Sequence, residues 1–315
     1  MPAILSHWLH GSRVLPELKK RIHSVDIDEN SFLWGCQGPD ILFFSRLMPW
    51  MSGQNVRKYG SKLHDGDPMR VFQPLFELIE VCGVKNYDRL MSYCLGMCCH
   101  YSLDRTAHPY VIYLENSMVC NDPRGEDYHY HGEIESMLDV ILLRREKGLI
   151  PADVSLSDCI PEDAAVSSMM SLVYTKMLYR SFGLKLEPRC ARQLTGDMRT
   201  CFNVLNDRYS LRMPVIETVE NILWKGHSTG SMSAFMRPYA EKLSYDYGNF
   251  CHKEWHNIYA PRERSRFDIF EIFDSAVEDA LSTVEQFLNA VSNKCSFGQY
   301  TENKTFSFGT RETTC

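Results

Sequence analysis

The stretch from Tyr87 to about Ala107 constrains the fold more than any other part of the sequence. Leu90, Tyr93, Cys94, Met97 and Tyr101 recur at helical spacing, which predicts a long helix with an apolar stripe. In or just beyond that segment lie His100, Asp104 and His108, at i, i+4 and i+8. On an α-helix i and i+4 share a face about 6 Å apart along the axis, so His100 and Asp104 can grip one ion. Unpaired polar groups in an apolar segment are costly, and metal coordination would compensate that cost. Pro109 predicts the end of the helix, because proline disfavours helical geometry in the residue before it; His108 then sits where the backbone turns.

A second pair, His131 and Glu135, repeats the i, i+4 spacing near the start of a helix expected from about Tyr130 to Lys147. Imidazole with carboxylate is the ligand mixture that zinc accepts in catalytic sites. One His-x-x-x-Asp is weak evidence, and the strength lies in the set. The rival reading, buried polar residues that satisfy one another by hydrogen bonds, stays open at this point.

The remaining pattern is helical. Residues 1–20 read as an opening helix that Pro16 kinks or splits, and residues 70–83 as an amphipathic helix stopped by Gly83. Gly35, Gly38 and Pro39 predict a loop over 31–45, and residues 114–130 are polar and turn-rich. Beyond Pro151 helices are expected at about 161–182, 189–209, 213–224, 231–247 and 266–292. Strand-like alternation is scarce, so the fold class is all-α. Residues 1–150 are expected to hold the metal-binding core, and 151–292 to complete the domain or form a helical subdomain. The Thr-, Ser-, Gly- and Asn-rich residues 293–315 are expected to be disordered.

A net charge of -6 argues against bulk nucleic-acid binding, which needs a basic face. It leaves room for a small phosphorylated substrate held by metal ions. No secretory signal and no membrane-spanning apolar run is readable, which predicts a cytoplasmic protein. The 12 cysteines include no C-x-x-C pair, and several fall inside helical patterns, as reduced core thiols do.

Taken in order, these residues resemble the ligand string of zinc-dependent phospholipase C and of the related catalytic domain of glycosylphosphatidylinositol-specific phospholipase D. Ser6-His7 is similar to the early histidine, Gly38-Pro39-Asp40 to the loop aspartate, and Lys62-Leu63-His64 to the next histidine. His100, Asp104, His108, His131 and Glu135 complete the string, so the resemblance spans residues 1 to about 145. It implies a multi-helix bundle with two or three Zn2+ ions. Asp40, His64, His100 and Asp104 would hold one, and His108, His131 and Glu135 a second. His7 with Asp104, and with the chain's amino terminus, would hold a third. Asp104 would bridge metals about 3.5–4 Å apart, and Asp40 or Glu135 would orient the attacking water or take its proton.

The implied reaction is hydrolysis of a phosphodiester, phospholipids included, with peripheral membrane contact and no nucleic-acid partner. Two departures from the secreted phospholipases stand out. The chain begins Met-Pro rather than with a tryptophan, so removal of Met1 would present the amine of Pro2. Three residues separate Asp104 from His108 rather than five, a spacing similar to the phospholipase D branch. A single-strand nuclease and a metal-stabilised scaffold protein remain as alternatives.

Other residues are set aside. His10 is expected to face solvent, and His129 to be a loop residue or a partner of a ligand. His252, Trp255 and His256 are expected to form a helix face without a carboxylate. Phe43, Phe44 and Trp50 are candidates for an acyl-chain groove, with loop anchoring as the rival.

Overall fold

Helical periodicity governs the chain from Ile4 onward in the computed structural model. Six helices carry it to Lys147: α1 (Ile4–Arg21), α2 (Glu29–Gln37), α3 (Arg57–His64), α4 (Met69–Val81), α5 (Val84–Asn121) and α6 (Tyr130–Lys147). Then come α7 (Leu156–Cys159), α8 (Ala164–Phe182), α9 (Pro188–Leu205), α10 (Met213–Leu223), a hairpin of β1 (Trp255–Asn257) and β2 (Ala260–Ser265), and α11 (Ile269–Asn293). α12 (Phe297–Thr301) and a second hairpin, β3 (Lys304–Thr305) with β4 (Gly309–Thr310), follow. The structure describes residues 4–48, 50–122, 126, 128–154, 156–205, 211–223, 233, 236–237, 244–293, 296–302, 304–307 and 309–310. The fold is all-α, and the sheets among the described residues are the two antiparallel hairpins.

α5 is the axis, packed against α2, α11, α1 and α6. One hydrophobic core, from Ile4 through Met97 to Phe287 and Phe306, joins residues of the first 150 to those beyond. The β1–β2 hairpin is held separately, through Trp255 against Tyr110 of α5 and Ile272 of α11. Described cysteines are free thiols, and those of α5 at Cys94, Cys98 and Cys99 are buried in helix contacts.

Several local expectations need correction. The expected loop over 31–45 is the helix α2, capped by Asp28, followed by a 3-10 turn over Gly38–Phe44. Gly35 is helical because α2 and α5 nearly touch there: a methyl group on it would lie 2.1 Å from the carbonyl oxygen of Tyr93. Pro109 does not end α5, which continues to Asn121 through the segment expected to be turn-rich. A helical proline leaves the carbonyl four residues earlier without its usual donor. That carbonyl is Arg105, and the backbone of Gly309 lies over it so closely that a methyl there would stand 2.6 Å from the oxygen.

The tail is not disordered throughout, because α12 and the β3–β4 hairpin pack on α4 and α5 around the fully buried Phe306. His252 lies in irregular chain just after a turn and His256 in a strand, not on one helix. Most of the helix expected at 231–247 falls outside the described residues, as does the amine of Pro2.

Candidate metal centre

Each ligand-type side chain is placed by a specific local device. α1 starts on α6, where the buried Asp139 carboxylate accepts from the Leu5 and Ser6 N–H groups and the Ser6 hydroxyl. Arg237 balances that carboxylate at 2.6 Å, and the arrangement sets His7 beside the helix that carries Glu135. Asp40 sits in the 3-10 turn, behind Gly38, whose positive φ of 50° ends α2. His64 closes α3. His100, Asp104 and His108 lie on successive turns of α5, and His131 and Glu135 on successive turns of α6.

These elements bring all eight residues together. Asp104 is the hub: its carboxylate oxygens lie 3.2 Å from His7 Nε2, 3.4 Å from His64 Nε2, 3.1 Å from His100 Nε2 and 3.8 Å from His108 Nδ1. Asp40 stands 3.1 Å from His64 Nε2 and 3.8 Å from His7 Nε2. Glu135 lies 3.2 Å from His108 Nε2 and 3.4 Å from His131 Nε2. Three sets of donor atoms each lie within 4.8 Å of one another: His7, His100 and Asp104; Asp40, His64 and His100; His108, His131 and Glu135.

The imidazole orientations carry the chemistry. His64 Nδ1 faces the Gly60 carbonyl at 2.8 Å, His100 Nδ1 the Cys36 carbonyl at 3.0 Å, and His108 Nδ1 the Phe306 carbonyl at 3.1 Å. His131 Nδ1 faces the Glu115 carboxylate at 2.9 Å. Such acceptors take a proton, so each Nδ1 donates and each Nε2 is turned toward the shared centre, the arrangement that metal-binding histidines use. His64 Nε2 and His100 Nε2 face each other at 3.3 Å. Asp40 Oδ1 and Asp104 Oδ2 are buried without an aligned hydrogen bond, although imidazole nitrogens stand 3.1–3.4 Å away. Atoms so placed converge on points between them rather than on one another. Zinc bonds of about 2.0–2.2 Å put ligand atoms about 3.3–3.6 Å apart, so the donor set fits zinc in kind and spacing.

Electrostatics agree. Burial opposes ionisation of Asp104, yet His100, His108 and His7 hold its carboxyl well below the usual range. Asp40 and Glu135 are likewise lowered against burial, by His64 and His100 and by His131 and His108 respectively. The reciprocal pull overcomes burial at His64, raised to about 10 by Asp104 and Asp40, and at His131, raised to about 9 by Glu135 and Glu115. At His100 burial wins and the pKa falls. The carboxylates demand positive charge beside them, and protons and a metal cation compete to supply it.

A cavity of about 320 Å³ opens onto the centre, walled by Phe43, His64, Asp65, His108, Glu115, His131, Tyr259 and Ser307 among others. A hollow of about 30 Å³ lies behind it, bordered by His7, Asp104, His108 and Glu135. Phe43 therefore reaches the cavity, whereas Phe44 is buried and Trp50 is exposed. His129 is exposed at the same rim.

His10 does not face solvent. It is buried edge-on against Phe273, and burial lowers its pKa to about 3. His252 lies beside carboxylates of Asp268 and Glu271, contrary to expectation, but this group is on the surface.

Glu115 is the residue that sequence reasoning missed. It follows His108 by seven residues on the same helix face, a signal hidden by taking Pro109 as the helix end. No described helix is long and apolar enough to cross a membrane.

No curated protein and no solved structure matches the chain. A family model described as zinc dependent phospholipase C matches residues 6–208, more than half of the chain and the stretch in which all eight ligand-type residues fall. With a buried imidazole–carboxylate centre inside the matched region, the chain belongs to the zinc dependent phospholipase C family.

Proposed function

We propose that the chain hydrolyses a phosphodiester at a centre of two or three zinc ions, with phospholipids as the leading substrate class. The observation that carries this reading is the inward orientation of the Nε2 atoms of His64, His100 and His131, with each Nδ1 held from behind. Asp40, His64 and His100 would hold one ion, His108, His131 and Glu135 a second, and His7 with Asp104 a third. Asp104, whose carboxylate faces imidazoles of every group, would be the carboxylate shared between the ions. Bound zinc would polarise the phosphate and lower the pKa of a water molecule.

The chain's own groups then divide the work. Glu115 fixes the ring of His131, which is 27% exposed and forms part of the cavity wall. Phe43 and Tyr259 offer apolar surface to a substrate there. Asp40 and Glu135 are buried and strongly ionised, which suits ligands better than bases. Asp65 and Glu115 line the cavity and are carboxylates available there to take up a released proton.

The test is zinc analysis of the purified chain with assays on phospholipid vesicles, single-stranded oligonucleotides and small synthetic phosphodiesters. Zinc-dependent turnover of phospholipid supports the reading. Preference for oligonucleotides would make the chain a nuclease, and zinc without turnover on any substrate would make it a binding protein.

A further inference from the structure

We infer that the C-terminal hairpin, which lies outside the family-matched residues 6–208, is a working part of the metal centre, its docking thermodynamically linked to zinc binding. This inference rests on the reading of His108 and His64 as zinc ligands.

A histidine that binds metal through Nε2 must carry its proton on Nδ1, and the acceptor of that proton fixes both tautomer and ring direction. His64 finds its acceptor within its own helix, at Gly60, and His100 finds one at Cys36 on the tightly packed α2. His108 finds its acceptor at Phe306, 198 residues away in sequence, on the β3–β4 hairpin. Its orientation toward Glu135 therefore depends on whether that hairpin is docked.

The docking contacts lead to the same centre. The Ser307 N–H donates to the carbonyl of His64 at 3.2 Å. The Phe306 ring, fully buried, packs 5.5 Å from His64 and 5.8 Å from His100, centroid to centroid. The Tyr101 hydroxyl donates to the Lys304 carbonyl at 2.7 Å, one residue along α5 from His100. Gly309 closes over Arg105 and Pro109, immediately beside Asp104 and His108. A hairpin with two-residue strands has little stability alone, so these contacts hold it in place. Linkage requires reciprocity: whatever factor the docked hairpin adds to zinc affinity, bound zinc adds to hairpin docking.

Two measurements test this with Zn2+ as the only probe. The first compares zinc affinity, by competition with a chelator, in the intact chain, Phe306→Ala and a chain ending at Glu302, with helicity followed by circular dichroism. Loss of a partner that orients a ligand costs about 10–100-fold in metal affinity, and a loss of that size is expected in the truncated chain. The second follows hydrogen exchange in the intact chain over residues 304–310, with zinc and with chelator. Exchange is expected to slow on zinc addition by a similar factor.

A helical truncated chain with unchanged zinc affinity would overturn the inference, because a merely structural hairpin lowers the melting temperature without moving that affinity. Equal exchange with and without zinc would overturn it too, and this result decides alone if the truncated chain does not fold. Failure of the intact chain to bind zinc would instead remove the ligand reading itself, and it shows before any hairpin comparison is made.

Discussion

Adding one methyl group at Gly38 perturbs the centre at a defined point. Gly38 has φ 50° and ψ -146°, a region open essentially to glycine alone, and occupying it with alanine costs about 1–3 kcal/mol. A Cβ there would also stand 2.4 Å from ring carbons of His100, a fully buried side chain with no room to retreat. Overpacking of this kind costs about 1–3 kcal/mol more, so Gly38→Ala is expected to destabilise by roughly 2–6 kcal/mol. Against a total stability of ~5–15 kcal/mol that is a large fraction. The strain can be separated from the collision with Gly148→Ala, at φ 66° and with open space around the new methyl, for which about 1–2 kcal/mol is expected. Urea titrations of the chelated proteins give the two costs, and zinc titrations give the consequence. Gly38→Ala, by pushing the His100 ring, loses about tenfold or more in zinc affinity, whereas Gly148→Ala leaves it unchanged. Equal destabilisation and equal zinc affinity in the two variants would refute the claim that Gly38 is there to admit His100.

Asp104→Asn keeps the helical circular dichroism signal and loses zinc stoichiometry, because a neutral amide bridges cations poorly; full zinc and turnover in the variant would contradict its role as hub. Glu115→Gln weakens zinc binding by roughly 10–100-fold by loosening the His131 ring, and wild-type affinity would reduce Glu115 to a rim residue. Burial lowers the His10 pKa to about 3, so between that pH and 6.5 the unfolded chain binds a proton that the folded chain refuses. Stability contributed there rises with pH, with a slope approaching about 1.4 kcal/mol per pH unit, and His10→Leu should flatten it in chelated samples. Identical slopes would show His10 to be protonated in the fold. His256→Ala, at a ring packed on Tyr113 away from the centre, leaves zinc content unchanged, as elemental analysis can check.

Five residues of the centre, His100, Asp104, His108, His131 and Glu135, were legible because imidazoles and carboxylates at helical spacing within apolar segments are rare unless something compensates them. His7, Asp40 and His64 have no second ligand on their elements and were legible only through the resemblance to the family's ligand string. His100 with Asp104, and His131 with Glu135, needed only the period of a helix. What decided other positions lies far away in sequence. Gly35 can mark a turn or a close helix contact, and the choice rests with Gly96 of α5, which meets it face to face. Pro109 stays inside α5 beneath Gly309, a position with no local sign. His10 is one turn from His7, and only the placement of Phe273 on α11 makes it a core residue. The C-terminal hairpin has the composition of a disordered tail, and its order comes from contacts with α5 and His64 rather than from its own sequence.

The central claim, that these side chains form a zinc centre that cleaves a phosphodiester, is tested most directly by one titration. The chain is stripped with a chelator and zinc is returned in steps while phospholipid hydrolysis is followed. The account predicts that activity is absent in the stripped chain and returns as two or three zinc ions bind per chain. A stripped chain that takes up no zinc, or one that hydrolyses phospholipid as fast without zinc as with it, would contradict it.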